Sequence, residues 1–429
     1  MRSFECNFLK VYCKNIVWIY FLFAIVWGYG DIRKQIPERI YVKEGTDLQK
    51  EFIQGVSVEI ADESAETLAE LPAFTSDNKV KSTFHNSNLH SVKKDCKVNC
   101  YLFGVIPVKR VEVSVTKEQE VYTSGRLVGI YEKADGVLVL DTEAVCDKKG
   151  NEICPAKNKV KAGDYIISMN GETVHSKMQI LQTLLELEGE TVHLEMIRDK
   201  QQVSADIIPV LAKNGSYMLG IWIKDDMAGI GTMTYYTKEG EFGALGHGIG
   251  DGTTGELLSV SDGAIYDMEL TGIEKGKRGA PGELAGTIHY SKKNHFGTLQ
   301  QNEMLGIFGQ LDPEELAVFA KNDPLYPVAY KQEIRTNEKA YMISDVSGTS
   351  TGYEIEIEHI DMNATDSNKG IQLKVTDPKL LELTGGVVQG LSGSPIIQNG
   401  KIIGAVTHVL VNDPTRGYGI FIEEMLGEK

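Results

Sequence analysis

Apolar and polar positions alternate along most of this chain, and helical stripes are rare. A period of two runs through Ile36–Val42 and Gly55–Ile60, and again through Tyr101–Val108 and Val111–Val115. Each stretch predicts a half-buried strand. Residues 61–95 between them are polar and rich in Ser, Asn and Lys, which predicts a loop or linker. Gly125–Ile130, Gly136–Leu140 and Thr191–Arg198 predict further strands. Met178–Leu185 carries apolar residues at helical spacing. From residue 213 onward come Leu219–Ile223, Gly229–Tyr236 and many more short strands punctuated by glycine, with one helical pattern at Pro313–Ala320. That succession predicts an all-β barrel of Greek-key type.

The N-terminus departs from this alternation. Arg2, Lys10 and Lys14 precede the uncharged run Ile16–Trp27. To Gly30 the run covers roughly 22 Å as a helix, against about 30 Å for a bilayer core. It is long for a signal peptide and short for an anchor. Gly28-Tyr29-Gly30 offers a small-x-small cleavage site. Either way the body of the chain is expected outside the membrane, with the positive charges inside.

A length of 429 residues predicts several domains. The expected division is 1–30 as signal peptide or membrane anchor, 31–118 as a β spacer module and linker, 119–212 as a separate α+β unit, and 213–429 as the β-barrel domain. A net charge of −16 with no basic block in the soluble part excludes nucleic acid as a partner. The six cysteines fall outside every chemical motif. Cys96 with Cys100, and Cys146 with Cys154, can each close a small disulfide loop in an oxidising compartment, or stay as free thiols. No histidine lies beside them at zinc-ligand spacing, so no metal is expected.

Residues 119–212 hold Ala162-Gly163-Asp164-Tyr165-Ile166 followed by Asn170-Gly171. This piece resembles the PDZ domains of bacterial exported proteases. The resemblance implies a peptide groove between a strand and a helix, filled by β-strand addition. The expected groove strand is Leu127, Val128, Gly129 and Ile130, and the expected helix is Ser176–Leu187. Asp141–Lys159 is longer and more charged than a minimal loop of such a domain.

The chemistry gathers near the C-terminus. In Gly390-Leu391-Ser392-Gly393-Ser394-Pro395 a serine stands between glycines, after Val387-Val388 and before Ile396-Ile397. Glycine lets the backbone turn sharply and lets a substrate carbonyl approach. The amides of Gly390 and Ser392 are candidate oxyanion donors. Serine needs a base, and His247, in Gly246-His247-Gly248, suits the role on a loop after an apolar strand end. His408, just beyond the serine, is the rival base. Asp251, Asp361, Asp366 and Asp377 are all candidates for the carboxylate that orients it. Asp377 ends the alternating strand Ile371–Val375 and precedes Pro378, where it can equally form an Asp-Pro turn.

Taken with Gly220–Thr234, Gly243–Gly248 and Gly390–Lys401, the order of segments resembles the stage IV sporulation protein B serine peptidase family, across most of residues 100–429. The resemblance implies a chymotrypsin-like β-barrel peptidase in which His247 is the base, Asp377 the acid and Ser392 the nucleophile, with no cofactor. Chain order His, Asp, Ser is that of such barrels. Leu391 stands where trypsin-like enzymes carry Asp, so zymogen control by a buried N-terminal ion pair is not expected. The family also implies export across the forespore membrane into the intermembrane space, self-cleavage, and cutting of a membrane-bound regulator that triggers pro-sigma-K processing. The alternative of another class is an exported PDZ adaptor with an inactive barrel. That protein would show no labelling of Ser392 by a fluorophosphonate and no dependence on His247.

Overall fold

The computed structural model describes residues 20, 23–61, 92–199, 201–250, 257 and 260–427. Strands dominate. The first four, β1 (Arg39–Lys43), β2 (Val56–Ile60), β3 (Cys96–Leu102) and β4 (Ile106–Thr116), form one sheet in the order β1-β4-β3-β2. Ile40, Val58, Val98 and Val111 alternate inward to its core. Cys96 and Cys100 lie on β3 four positions apart, which separates their Cα atoms by about 13 Å, beyond the reach of a disulfide. The expectation that this pair can bridge is thereby corrected. Cys146 and Cys154 are free thiols. Among the described residues no helix is long and apolar enough to cross a membrane. Residues 1–19, 21–22 and 62–91, which hold most of the expected membrane segment and linker, lie outside the described residues.

β5 (Glu120–Thr142) is 23 residues long and belongs to two structures. Its second half opens the PDZ-like unit. There follow a short hairpin, β6 (Val145–Cys146) and β7 (Glu152–Ile153), then β8 (Tyr165–Met169), β9 (Glu172–Thr173), the helix Lys177–Glu186, β10 (Val192–Arg198), β11 (Gln201–Ile207), β12 (Val210–Leu211) and β13 (Tyr217–Met218). The helix starts at a capping box, with Ser176 and Gln179 each satisfying the other's backbone. It buries Ile180 and Leu184 against Val192, Leu194 and Met196. The motif residues at 163–171 are structural. Asp164 is fully buried and takes a bidentate pair from Arg198 at 2.7 and 2.6 Å. Asn170 and Gly171 both have positive φ and make the β8–β9 turn.

The chain then re-enters the body of the protein through β14 (Ile221–Tyr236), which pairs antiparallel with β5 from Ile221↔Thr142 to Tyr236↔Tyr122. β15 (Glu241–Ala244), β16 (Val260–Tyr266), the excursion hairpin β17 (Met268–Glu274) and β18 (Glu283–Ile288), β19 (His295–Glu303) and β20 (Gly306–Leu311) follow. The pairing β5-β14-β15-β20-β19-β16 returns to β5, since β16 also pairs with it. This closes a six-stranded barrel filled by Val128, Met233, Phe242, Ile265, Leu299 and Ile307. The expected boundary at 212/213 therefore cuts across sheet partners, since it parts β5 from β14 and β16. The first strand of the barrel precedes the PDZ-like unit, which is inserted between β5 and β14.

The helix Pro313–Asn322 and β21 (Leu325–Pro327) lead to a second barrel. It is closed in the order β22 (Lys339–Ser344), β23 (Thr351–Ile360), β24 (Ile371–Val375), β27 (Asp413–Phe421), β26 (Lys401–Leu410) and β25 (Pro395–Gln398). Ile355, Ile371, Leu373, Ile396 and Val406 fill it, each at most 1% exposed. Burying each such side chain stabilises the fold by about 1.5–3 kcal/mol. The Asn399-Gly400 turn between β25 and β26 has φ of +52° and +74°, the expected hairpin chemistry.

Candidate active site

The two barrels meet at a cleft of about 490 Å³ whose wall includes His247, Ser392, His408, Gly390 and Met227–Ile230. Each barrel supplies part of the chemistry. His247 follows β15 of the first barrel, beyond Leu245 and Gly246, which both have positive φ (+67° and +69°). Ser392 lies in the loop before β25 of the second.

Thr232 and Thr234, alternate residues of β14 and both fully buried, staple the serine loop to the first barrel. Thr232 Oγ1 donates to the Gly390 carbonyl (2.9 Å), and the Thr232 amide donates to the Ser392 carbonyl (2.9 Å). Thr234 Oγ1 donates to the Gly393 carbonyl (2.7 Å). Gly393 sits at φ +94°, and a Cβ there would lie 2.0 Å from the Thr232 carbonyl oxygen. Glycine is required at that point by both conformation and space. The staples bring a loop of the second barrel against a strand of the first that lies about 160 positions earlier in the chain.

The amides of Leu391, Gly393 and Ser394 donate to the carbonyls of Val388, Val406 and Leu391. Those of Gly390 and Ser392 have no acceptor among the described residues, as the oxyanion role requires. The Ser392 hydroxyl donates to the Thr407 carbonyl at 2.6 Å. To hand its proton to an imidazole the hydroxyl must give up that bond.

Two imidazoles line the cleft, their ring centroids 4.9 Å apart. His247 Nδ1 pairs with the Gly248 carbonyl at 2.9 Å. Burial lowers its pKa below the ordinary 6.5, partly offset by that bond. His408 is pushed down to about 4, first by desolvation at the cleft wall, then by His247 and Lys369, with Asp366 acting in the opposite direction. His408 still presents an edge to solvent. It is the rival base of the sequence reading, and it stands at the site.

Asp377 does not. Its carboxylate accepts from the amides of Lys379 (2.8 Å), Leu380 (3.2 Å) and Glu354 (3.4 Å), and it caps the helix Pro378–Thr384. An Asp followed by Pro at the first helical position is a strong helix start, and that local chemistry claims the side chain. Asp377 is no lining residue of the cleft, so the structure corrects its assignment as the orienting acid. Asp366 pairs with Lys369 at 2.7 Å and faces His408 electrostatically. Asp361 caps its own turn through Asn363 N. Asp251 lies outside the described residues.

The expected groove strand is likewise corrected. Leu127, Val128, Gly129 and Ile130 lie inside the first barrel, with both edges paired, to β14 and in part to β16. The strands beside the helix Lys177–Glu186 are instead β13 and the start of β14. In β14, residues Ile221–Lys224 pair with β5 on one side and with no strand on the other among the described residues. Met178, Leu181 and Leu185 of the helix are exposed, as is Trp222. β14 thus carries the groove edge at its start and cleft wall at Met227–Ile230.

Two closed six-stranded barrels, with a histidine from the first and a glycine-flanked serine from the second across one cleft, define a serine peptidase of chymotrypsin-like architecture. Residues 215–426 match the family model described as SpoIVB peptidase S55. That segment is similar to the SpoIVB peptidase S55 family, and the protein is a serine peptidase. Among solved structures, the PDZ domain of an SdrC-like protein from Listeria monocytogenes is 25% identical, covering 21% of this chain and 87% of its own, with a TM-score of 0.18. The active form of the Rv3671c protease from M. tuberculosis is 14% identical over 47% of this chain and 73% of its own, with a TM-score of 0.27. The HtrA-type protease AlgW, solved with a decapeptide, is 11% identical over 71% of this chain and 63% of its own, with a TM-score of 0.29. No curated protein matches the chain.

Proposed function

We propose that this serine peptidase is an endopeptidase in which Ser392 attacks the scissile carbonyl, His247 accepts its proton, and the Gly390 and Ser392 amides hold the oxyanion. The observation that supports it is the convergence of Ser392, His247 and two unspent amides on one cleft. His247, kept neutral at pH 7 by its surroundings, is in the form a base needs. Attack forms the bond from Oγ to the carbonyl carbon as the hydroxyl proton passes to the imidazole, which then protonates the leaving amine. Water completes the turnover.

Protein substrates are expected to add an extended segment to the open edge of β14 at Ile221–Lys224, beside Met178, Leu181 and Leu185. The family resemblance further supports export to the space between forespore and mother-cell membranes, self-cleavage near the N-terminus, and cutting of a membrane-bound regulator in sporulation signalling. N-terminal sequencing of the purified protein beside Ser392→Ala tests the first two steps together. An N-terminus identical in wild type and Ser392→Ala would overturn self-cleavage, and an unlabelled Ser392 after fluorophosphonate treatment would overturn the nucleophile.

A further inference from the structure

Glu132 of β5 is 1% exposed, a carboxyl group on a strand of a barrel filled with apolar side chains. The residues opposite it in register are Met227 of β14 and Gly263 of β16, neither of them charged. Its carboxylate accepts from the Asn302 side-chain amide, at 3.1 and 3.4 Å. Asn302, near the end of β19, also bonds Ile249 twice. Its Nδ2 donates to the Ile249 carbonyl and its Oδ1 accepts from the Ile249 amide, each at 2.8 Å. Ile249 is two positions after His247. Gly248 between them packs so tightly that a Cβ would lie 2.5 Å from the Glu303 carbonyl oxygen and 3.1 Å from Asn302 Oδ1.

We propose that Asn302, oriented by the buried Glu132, is a positioning residue that clamps the His247 loop onto the β19–β20 turn and so holds the imidazole at the cleft wall. The inference rests on the reading of His247 as the base. A side-chain amide can serve a backbone N–H and C=O at once, imitating a strand partner where no strand lies. Its two ends are nearly alike in shape. Glu132 distinguishes them, because its oxygens accept from the –NH2 end, which leaves Oδ1 for the Ile249 amide. A carboxyl group buried in apolar surroundings destabilises a fold unless it is hydrogen-bonded. Burial raises Glu132 to about 7, with the Asn302 bond opposing that rise. No group in the proposed bond-making sequence needs it, so positioning is the role its partners leave to it.

The test measures labelling of Ser392 in the full chain by a fluorophosphonate, with a saturation plot separating the maximal rate from half-saturation, and thermal unfolding alongside. The proteins are wild type, Asn302→Asp, the Glu132→Gln/Asn302→Asp double variant and His247→Ala. Asn302→Asp removes the donor to Ile249 and sets two carboxyl groups face to face. Its maximal labelling rate should fall by about 10²-fold, the cost of a small misplacement of a reacting group. Half-saturation should stay within about threefold, as expected when only the chemical step is affected. In the double variant the amide introduced at position 132 can donate to the carboxylate introduced at position 302, and the rate should recover by about tenfold or more. A maximal rate within about threefold of wild type for Asn302→Asp would overturn the inference. So would a double variant no faster than Asn302→Asp, or a loss that matches the unfolded fraction. A fast-labelling His247→Ala protein would overturn the base reading and this inference with it. An inactive His247→Ala beside a fully active Asn302→Asp would overturn this inference alone.

Discussion

The imidazoles of His247 and His408 lie with ring centroids 4.9 Å apart on one wall of the cleft that Ser392 also lines. Two rings so close cannot both become cationic without mutual repulsion, and desolvation disfavours either charge. Both are therefore neutral at pH 7, His408 down to about 4 and His247 below 6.5. A base is lost on protonation, so the acid limb of Ser392 labelling should have its midpoint below pH 6.5. His408 titrates at about 4 and is already neutral where His247 takes up its proton, so His408→Gln should leave that midpoint in place. A limb at or above the ordinary histidine value in wild type, read from labelling rates between about pH 4 and 9, would contradict the burial argument.

Asp377 offers a sharp discrimination. As a helix cap, Asn serves nearly as well as Asp, whereas Ala costs about 1 kcal/mol. As a triad acid, the change to Asn would cost about 10⁴-fold in turnover. The bonds to Lys379, Leu380 and Glu354 lead us to expect the former, with Asp377→Asn within about threefold of wild-type turnover. Peptide cleavage rates for Asp377→Asn and Asp377→Ala decide it.

Thr232→Val keeps the shape of the side chain and deletes its bond to the Gly390 carbonyl. Stability should fall by about 1 kcal/mol, seen in urea unfolding. Labelling of Ser392 should slow as well, because the same bond fixes the loop that carries the oxyanion donors. Gly393→Ala should be far worse, since its Cβ would meet the Thr232 carbonyl oxygen at 2.0 Å. Gly400→Ala is the control, with positive φ but open space around it, and should cost only about 1 kcal/mol.

Glu132 gives a stability test with a defined sign. Its folded pKa of about 7 lies above the ordinary carboxyl value of 4.5. Between those values the folded state holds more protons than the unfolded one, so this group's contribution is fully present below about 4.5 and is lost as pH rises through 7. Glu132→Gln carries no such charge. Its melting temperature relative to wild type should be more favourable above that window, at about pH 8, than inside it, at about pH 5. An equal difference at both would refute the assignment.

Leu185→Glu places a charge on the exposed apolar stripe beside the open edge of β14. Cleavage of long unstructured proteins should slow while fluorophosphonate labelling stays at the wild-type rate. Slowing of both would show that the helix supports the cleft and not the groove.

That Ser392 and His247 stand at one cleft was open to sequence reading because glycines on both sides of a reactive side chain leave a mark that few structural turns share. The β character, the Asn399-Gly400 hairpin and the helix near Lys177–Glu186 were legible from period and turn chemistry. Asp377 was misread because Asp-Pro at a strand end looks the same whether the carboxylate turns toward a distant base or caps the next helix. The groove was misplaced because Leu127–Ile130 and Ile221–Lys224 alternate alike, and only pairing tells which edge is open. Thr232 and Thr234 had a signal, two threonines on one face of an otherwise apolar strand. Asn302 and Glu132 had none, since their meaning lies in contacts across 170 positions.

β5 has a practical consequence for anyone who divides this molecule. A fragment beginning at residue 213 would look like a whole enzyme by its motifs, yet it would be a cask missing one stave, with β14 and β16 both exposing a raw edge to their neighbours in solution. Such a piece should clump instead of cutting peptides. The smallest working unit must begin upstream of Glu120 and carry the inserted module with it.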